Sequence, residues 1–317
     1  MSWRFIKIFL TMLVIGLGGW WLSHQGWGEL VLALKKLPLN LLVLLIVLEL
    51  GALIIKVYKW KILLPEYSWW SLLKSSLVGQ YYSLTVSGQL AGEAAKTYYL
   101  SRITVIDWRH ITATVMVDKI TGLLGAVVIV GLGGISFSAL PLSGHNRSII
   151  ILSFLLLIVA LGIFYLIGYF RFKFPVAWCQ HRYSFLVKPL ESFNQINDKN
   201  HHYFHQPRKM LGSILMAVLY QSIAVVIMWL VGTQVGINLS LVDWAWIASL
   251  LSIILLLPLT VGGLGLREAT LVGLLGMFGV TPIAALAVSL TLFFLQIVLA
   301  GLGGVVQLWD IAKISHD

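Results

Sequence analysis

The stretch Leu257-Pro258-Leu259-Thr260-Val261-Gly262-Gly263-Leu264-Gly265-Leu266-Arg267-Glu268-Ala269 interrupts an apolar run from Trp244 to Gly279 with a glycine-rich, charged knot. A second knot, Leu84-Thr85-Val86-Ser87-Gly88-Gln89-Leu90-Ala91-Gly92-Glu93-Ala94, sits 175 positions earlier and interrupts Leu72 to Arg102. Aligning Leu84–Ala94 with Leu259–Ala269 makes six of eleven pairs identical. In a chain rich in Leu, Val, Ala and Gly such identity alone is weak evidence for a repeat. The surroundings of the two knots decide what they mean.

Those surroundings are membrane-like. The chain has 317 residues, of which 59% are hydrophobic and 11% charged, with mean hydropathy +0.92. An ordinary globular domain carries about 25% charged residues. Ile120–Asn146, Ser148–Phe170, Met210–Val242 and Ala269–Trp309 contain no Asp, Glu, Lys or Arg, and each matches or exceeds the ~20 apolar residues a spanning helix needs. The first apolar run, Phe5 to Leu22, is read as a retained anchor, because Trp20-Trp21-Leu22-Ser23-His24 is a poor cleavage site. The single cysteine, Cys179, excludes an intrachain disulfide and a thiolate metal site. The net charge of +10 gathers at the ends of apolar segments, where it meets phospholipid headgroups and not nucleic acid.

Spanning helices are expected near 5–23, 39–55, 110–134, 148–170, 211–232 and 283–309. Residues 171–209 carry seven Lys and Arg against Glu191 and Asp198, and Lys56 to Lys74 is also basic. Both stretches fall in the cytoplasm when the N-terminus does, as the positive-inside rule requires. Lys35 and Lys36 then lie outside, against the trend. The expected architecture is an all-α polytopic membrane protein, a single transmembrane domain over 1–317. It has about six spanning helices plus two re-entrant or broken helical hairpins, eight spans if the hairpins cross fully. Repeat A covers 39–134 with its motif at 84–96, and repeat B covers 211–309 with its motif at 258–269. A basic cytoplasmic loop, 171–209, separates them. Three crossings between the knots invert the frame, so the repeats are expected to be inverted, an arrangement in which substrate binds near the midplane.

Each knot is expected to turn on its glycines (Gly88 and Gly92; Gly262, Gly263 and Gly265), after which a helix begins. Its free N–H groups and dipole would attract an anion, and phosphate is the obvious anion in a membrane. Glu93 and Glu268 fall in the first turns, either as caps or as proton or headgroup sites, with Lys96 and Arg267 as nearest partners. Asp118 and Lys119 form a further charged pair inside a helix, and Glu49 stands alone in the second. Ser87 completes the candidate substrate-binding set. No catalytic residue, cofactor or metal site is expected: His201, His202 and His205 read as a solvated basic stretch, and there is neither a phosphate loop nor an Asp-x-Asp pattern.

On Ser87 to Lys96 with Leu100 and Arg102, on Val117-Asp118-Lys119, and above all on Leu257 to Ala269, nearly the whole chain resembles the flippase-like domain family. That family includes the transmembrane region of lysylphosphatidylglycerol synthases and stand-alone bacterial and archaeal proteins. The first motif departs from the family pattern, which often has proline before its glycines and an arginine near Lys96. The resemblance implies movement of a membrane lipid, phospholipid or polyprenyl-phosphate-linked, across the plasma membrane; the count of crossings from the charge pattern puts both termini in the cytoplasm. Any synthase or glycosyltransferase activity is expected to belong to a separate partner. The alternatives are a non-catalytic subunit of such a system and an intramembrane transferase.

Overall fold

The structure, a computed structural model, describes residues 27–104, 107–133, 184–256 and 260–314, with Ile158 and Gly162 besides. Among the described residues there are ten α-helices and no strands. Four are long and apolar enough to cross a membrane: α2 (Leu39–Leu63), α5 (Trp108–Gly133), α7 (Pro207–Gln234) and α10 (Pro282–Ile314). These correspond to four of the six expected spans; those near 5–23 and 148–170 lie outside the described residues. A short α1 (Trp27–Lys35) precedes them and packs on α10.

The chain between the spans shows how the knots are used. Helix α3 (Trp69–Tyr82) begins at Ser68, whose hydroxyl accepts the Ser71 N–H at 3.1 Å. One π-helical turn, Ser83–Ser87, reverses the chain, and α4 (Gly88–Ile103) packs back along α3. Helix α8 (Leu241–Ile254) starts in a capping box of Ser240 and Asp243. It is followed by a short 3-10 turn, Val261–Gly263, and by α9 (Leu266–Gly276). Helices of 14, 16, 14 and 11 residues reach only about 16–24 Å at 1.5 Å per residue, short of a ~30 Å hydrocarbon core. By length, none of these four helices is a full span on its own.

Contacts fix their direction. The ends of α2, α4 and α10 meet the starts of α3, α5 and α7 at one end of the bundle, where His110 lies 3.4 Å from Glu66, Lys199 2.9 Å from Asp107 and Lys74 3.9 Å from Asp310. Lys61, Lys74, Arg102, Arg109, Arg208 and Lys209 collect at this basic end. The hairpin of α3 and α4 enters from it. Helix α7 crosses to the far end, α8 and α9 enter from there, and α10 crosses back. The two tips meet inside: a Cβ on Gly262 would lie 3.2 Å from the Leu84 carbonyl oxygen.

Each end holds an apolar cluster. Trp60, Leu63, Leu100, Ile111 and Tyr203 pack at the basic end, and Leu45, Val231, Trp244, Leu271 and Ala285 at the far end. Two expectations need correction. Helix α2 does not stop at 55 but runs to Leu63, because Lys56 and Lys59 turn into the protein and not toward lipid. The basic segment 171–209 is not all loop, since α6 (Ser184–Phe204) is an amphipathic helix lying on α5 and α7.

Close helix packing depends on missing side chains. A Cβ on Gly303 of α10 would overlap the Leu77 carbonyl of α3, whereas one on Gly301 would meet nothing within 4 Å. Gly303→Ala is predicted to cost about 1–3 kcal/mol by forcing the two helices apart. Gly301→Ala should stay within about 0.5 kcal/mol of the parent. Thermal unfolding of the purified protein in detergent checks this, and equal shifts for both variants would refute the account.

Candidate functional site

Between the two apolar clusters lies a cavity of about 310 Å³, walled by α2, α3, α4, α5, α7, α8 and α10 and by Arg267 of α9. Its charged residues are Lys56, Lys59, Lys96, Lys119 and Arg267 against Glu49, Glu93 and Asp118, an excess of two positive charges.

Helix α4 contributes Glu93 and Lys96. Glu93 is not in the first turn, as the sequence suggested, but in the second, because α4 begins at Gly88. It cannot cap a helix there and instead binds Lys119 of α5 at 2.8 Å and Lys96 at 3.6 Å. Lys119 also donates to the side-chain Oε1 of Gln89 at 3.4 Å. The Lys96 ammonium, on a residue 2% exposed, sits 3.6 Å over the Trp60 ring and has no hydrogen-bond acceptor.

Helix α5 presents Asp118 and Lys119 to different partners, so the adjacent pair inferred from sequence does not form. Asp118 binds Lys59 of α2 at 3.1 Å, with both side chains under 10% exposed. The Lys59 Nζ also donates to the Asp118 backbone carbonyl. Beside them the Trp60 indole N–H donates to Thr114 at 3.1 Å, and Thr121 meets Ser213 at 2.9 Å. These bonds tie α2, α5 and α7 together around the cavity.

From the far side, Arg267 of α9 reaches in, 4% exposed. Its Nη1 donates to Gln296 of α10 at 3.0 Å, while its Nη2 has no acceptor. Its neighbour Glu268 lies outside the cavity lining. It reaches back to the Gly265 N–H at 2.6 Å, accepts from Ser289 at 2.9 Å, and stands 3.5 Å from Arg267 Nε. This is the capping arrangement that sequence left as one of two readings, and it occupies one of the N–H groups expected to serve an anion.

The glycines divide by task. Gly262, Gly263 and Gly265 have φ of 61°, 77° and 80°, a region open to glycine and strained for other residues. Gly92, expected to make a turn, is helical and acts through its size: a Cβ there would lie 2.5 Å from the Gly79 carbonyl oxygen. Gly88 likewise begins a helix, with Ser87 closing the π-helical turn before it. Of the twelve residues singled out, the structure thus gathers Gly92, Glu93, Lys96, Asp118, Lys119 and Arg267 on one cavity. It leaves Gly262, Gly263, Gly265 and Glu268 in the second tip and its cap.

Sequence reasoning placed Lys56 and Lys59 in a basic cytoplasmic stretch and did not connect them with the site. Glu49, Lys56 and Lys59 are spaced by seven and three, one face of a helix, and that stripe was the available signal. Among the described residues no group of three or more His, Cys, Asp and Glu is placed to hold a metal. His202 pairs with Gln206 at 2.6 Å, and the His201 and His205 rings stack edge to face.

Four described spans and two opposed hairpins around a charged interior define an all-α polytopic membrane protein. The chain belongs to the lysylphosphatidylglycerol synthase TM region family, whose sequence profile matches residues 5–304. Membership relates it to the modification or transport of membrane lipid. No curated protein and no solved structure matches it significantly.

Removing one partner of a buried ion pair leaves the other charge uncompensated, typically at about 3–5 kcal/mol, while replacing both by apolar groups is often neutral. Lys59→Met and Asp118→Leu are each predicted to destabilise on that scale, and the double variant to recover most of the loss. Detergent unfolding of the four proteins tests the cycle; additive losses would exclude the pairing. Glu268→Gln should cost about 1 kcal/mol as a weakened cap.

Proposed function

We propose that the chain moves a phosphate-bearing lipid, or the headgroup of a lipid-linked precursor, across the plasma membrane of a bacterium or archaeon. The observation that carries this reading is a pair of buried donors without a hydrogen-bond acceptor, Lys96 Nζ and Arg267 Nη2, in a cavity with two more positive than negative charges. Buried donors without acceptors are costly, and a phosphate-bearing headgroup in the cavity offers acceptor oxygens to such donors. Lys119, held by Glu93, adds a third cation, while Asp118 fixes Lys59. A cavity of about 310 Å³ suits a headgroup at the lower end of ligand-site volumes, leaving acyl or prenyl chains in lipid.

In this reading the two hairpins are the cores of an inverted repeat. The sequence match at an offset of 175 and the entry of the hairpins from opposite ends support it, and such repeats alternate the exposure of a midplane site. The basic end is cytoplasmic, as the excess of Lys and Arg there supports, with both termini on that side. Synthesis of the lipid is assigned to a separate enzyme.

The test is translocation in proteoliposomes, using fluorescent anionic phospholipids and a polyprenyl phosphate. Headgroup-selective, protein-dependent movement is expected. Arg267→Gln and Lys96→Gln should each lower it about tenfold or more per folded molecule, the worth of a charge-assisted hydrogen bond. Absence of movement for the whole series would reject transport in favour of a non-catalytic subunit role.

A further inference from the structure

The cavity contains one carboxylate that the phosphate site does not use. Glu93 and Asp118 are each held by a lysine, and Glu268 by a backbone N–H and a serine. Glu49, near the middle of α2, lines the same cavity yet has no hydrogen bond and no ion pair within 4 Å among the described residues. Lys56, on the same face, is two helical turns nearer the basic end, about 10 Å along the axis. The other charged or titratable groups facing this space are Tyr220 from α7, Asp118 and Lys119 from α5, and Glu93 and Lys96 from α4. Lys59 from α2 and Arg267 from α9 complete them.

An isolated charge at this depth is costly, and the cost disappears when the carboxyl carries a proton. A phosphate entering the cavity repels an ionised Glu49 in a medium of low dielectric. Anion binding and protonation at Glu49 therefore favour one another, and such a coupling is reciprocal.

We propose that Glu49 is a proton-binding site that makes the carrier a proton–anion symporter: one proton enters on the Glu49 carboxylate with each anionic headgroup and leaves it on the opposite side. This rests on the phosphate-site reading. Glu93 is unsuited to the task because two lysines already neutralise it, and Glu268 because it is committed to the tip of the second hairpin.

Two experiments separate this inference from that reading. In the first, binding of dihexanoylphosphatidylglycerol, whose phosphodiester keeps its charge from alkaline to mildly acidic pH, is followed on the purified protein. Translocation of the fluorescent lipids is followed under an imposed pH gradient with a trapped pH dye. Wild-type binding should tighten as pH falls and lipid entry should acidify the acceptor side. Glu49→Gln should bind at the acidic level at every pH and lose gradient-driven accumulation, while still equilibrating lipid. Lipid movement without proton movement, or a pH response retained in Glu49→Gln, overturns the Glu49 proposal and leaves transport standing. In the second, dicyclohexylcarbodiimide, which attacks protonated carboxyls in apolar surroundings, should modify Glu49 increasingly toward acidic pH and spare Glu93, as read by peptide mass spectrometry. Such labelling without any lipid movement keeps the proton site and removes the transport reading. No labelling of Glu49 at any pH removes the proton site.

Discussion

Backbone N–H and C=O groups cannot be left bare in hydrocarbon, and this protein breaks two helices at membrane depth. The contact between the tips resolves the conflict. The π-helical turn at Ser83–Ser87 and the left-handed glycines at 262, 263 and 265 need one another's cover. Helices α2, α5, α7 and α10 supply much of the wall around the cavity beside the tips. Helix lengths follow from the same demand: α3, α4, α8 and α9 are short because they need only reach the middle.

A second consequence is where charge can live. The meeting of the tips leaves a pocket that lipid does not fill, and five cations and three carboxylates occupy it. In a chain that is 11% charged, this concentration at the centre is the largest departure from what the bilayer favours. Much of it is internally matched, Lys59 with Asp118 and Lys119 with Glu93. Lys96 Nζ and Arg267 Nη2 are the buried cationic donors that face this space without a hydrogen-bond acceptor.

Sequence made the membrane class and the four described spans legible, because long charge-free runs have one physical explanation. It also located both hairpins, since glycine-rich interruptions of apolar helices have few others. What it did not reveal depends on distance in the chain. Lys59 and Asp118 are 59 positions apart, so Lys56 and Lys59 looked like the end of a helix when they are its cavity face. Glu93 and Glu268 occupy equivalent places in aligned motifs, yet one is in a second turn bound to lysines and the other caps a helix. The difference arises because the first tip reverses through a π-helical turn and the second through left-handed glycines, a choice that local composition underdetermines. Gly92 shows the same limit: glycine marks a turn or a close approach, and only the presence of Gly79 opposite selects the second.

The packing of Gly262 against Leu84 has a mechanical meaning as well. Each hairpin is rooted at a different face of the bundle, and each tip is the other's support. A displacement that draws one tip back toward its own face removes a packing partner from the second. The contact therefore couples the two hairpins, so that the position of either tip sets the room left for the other.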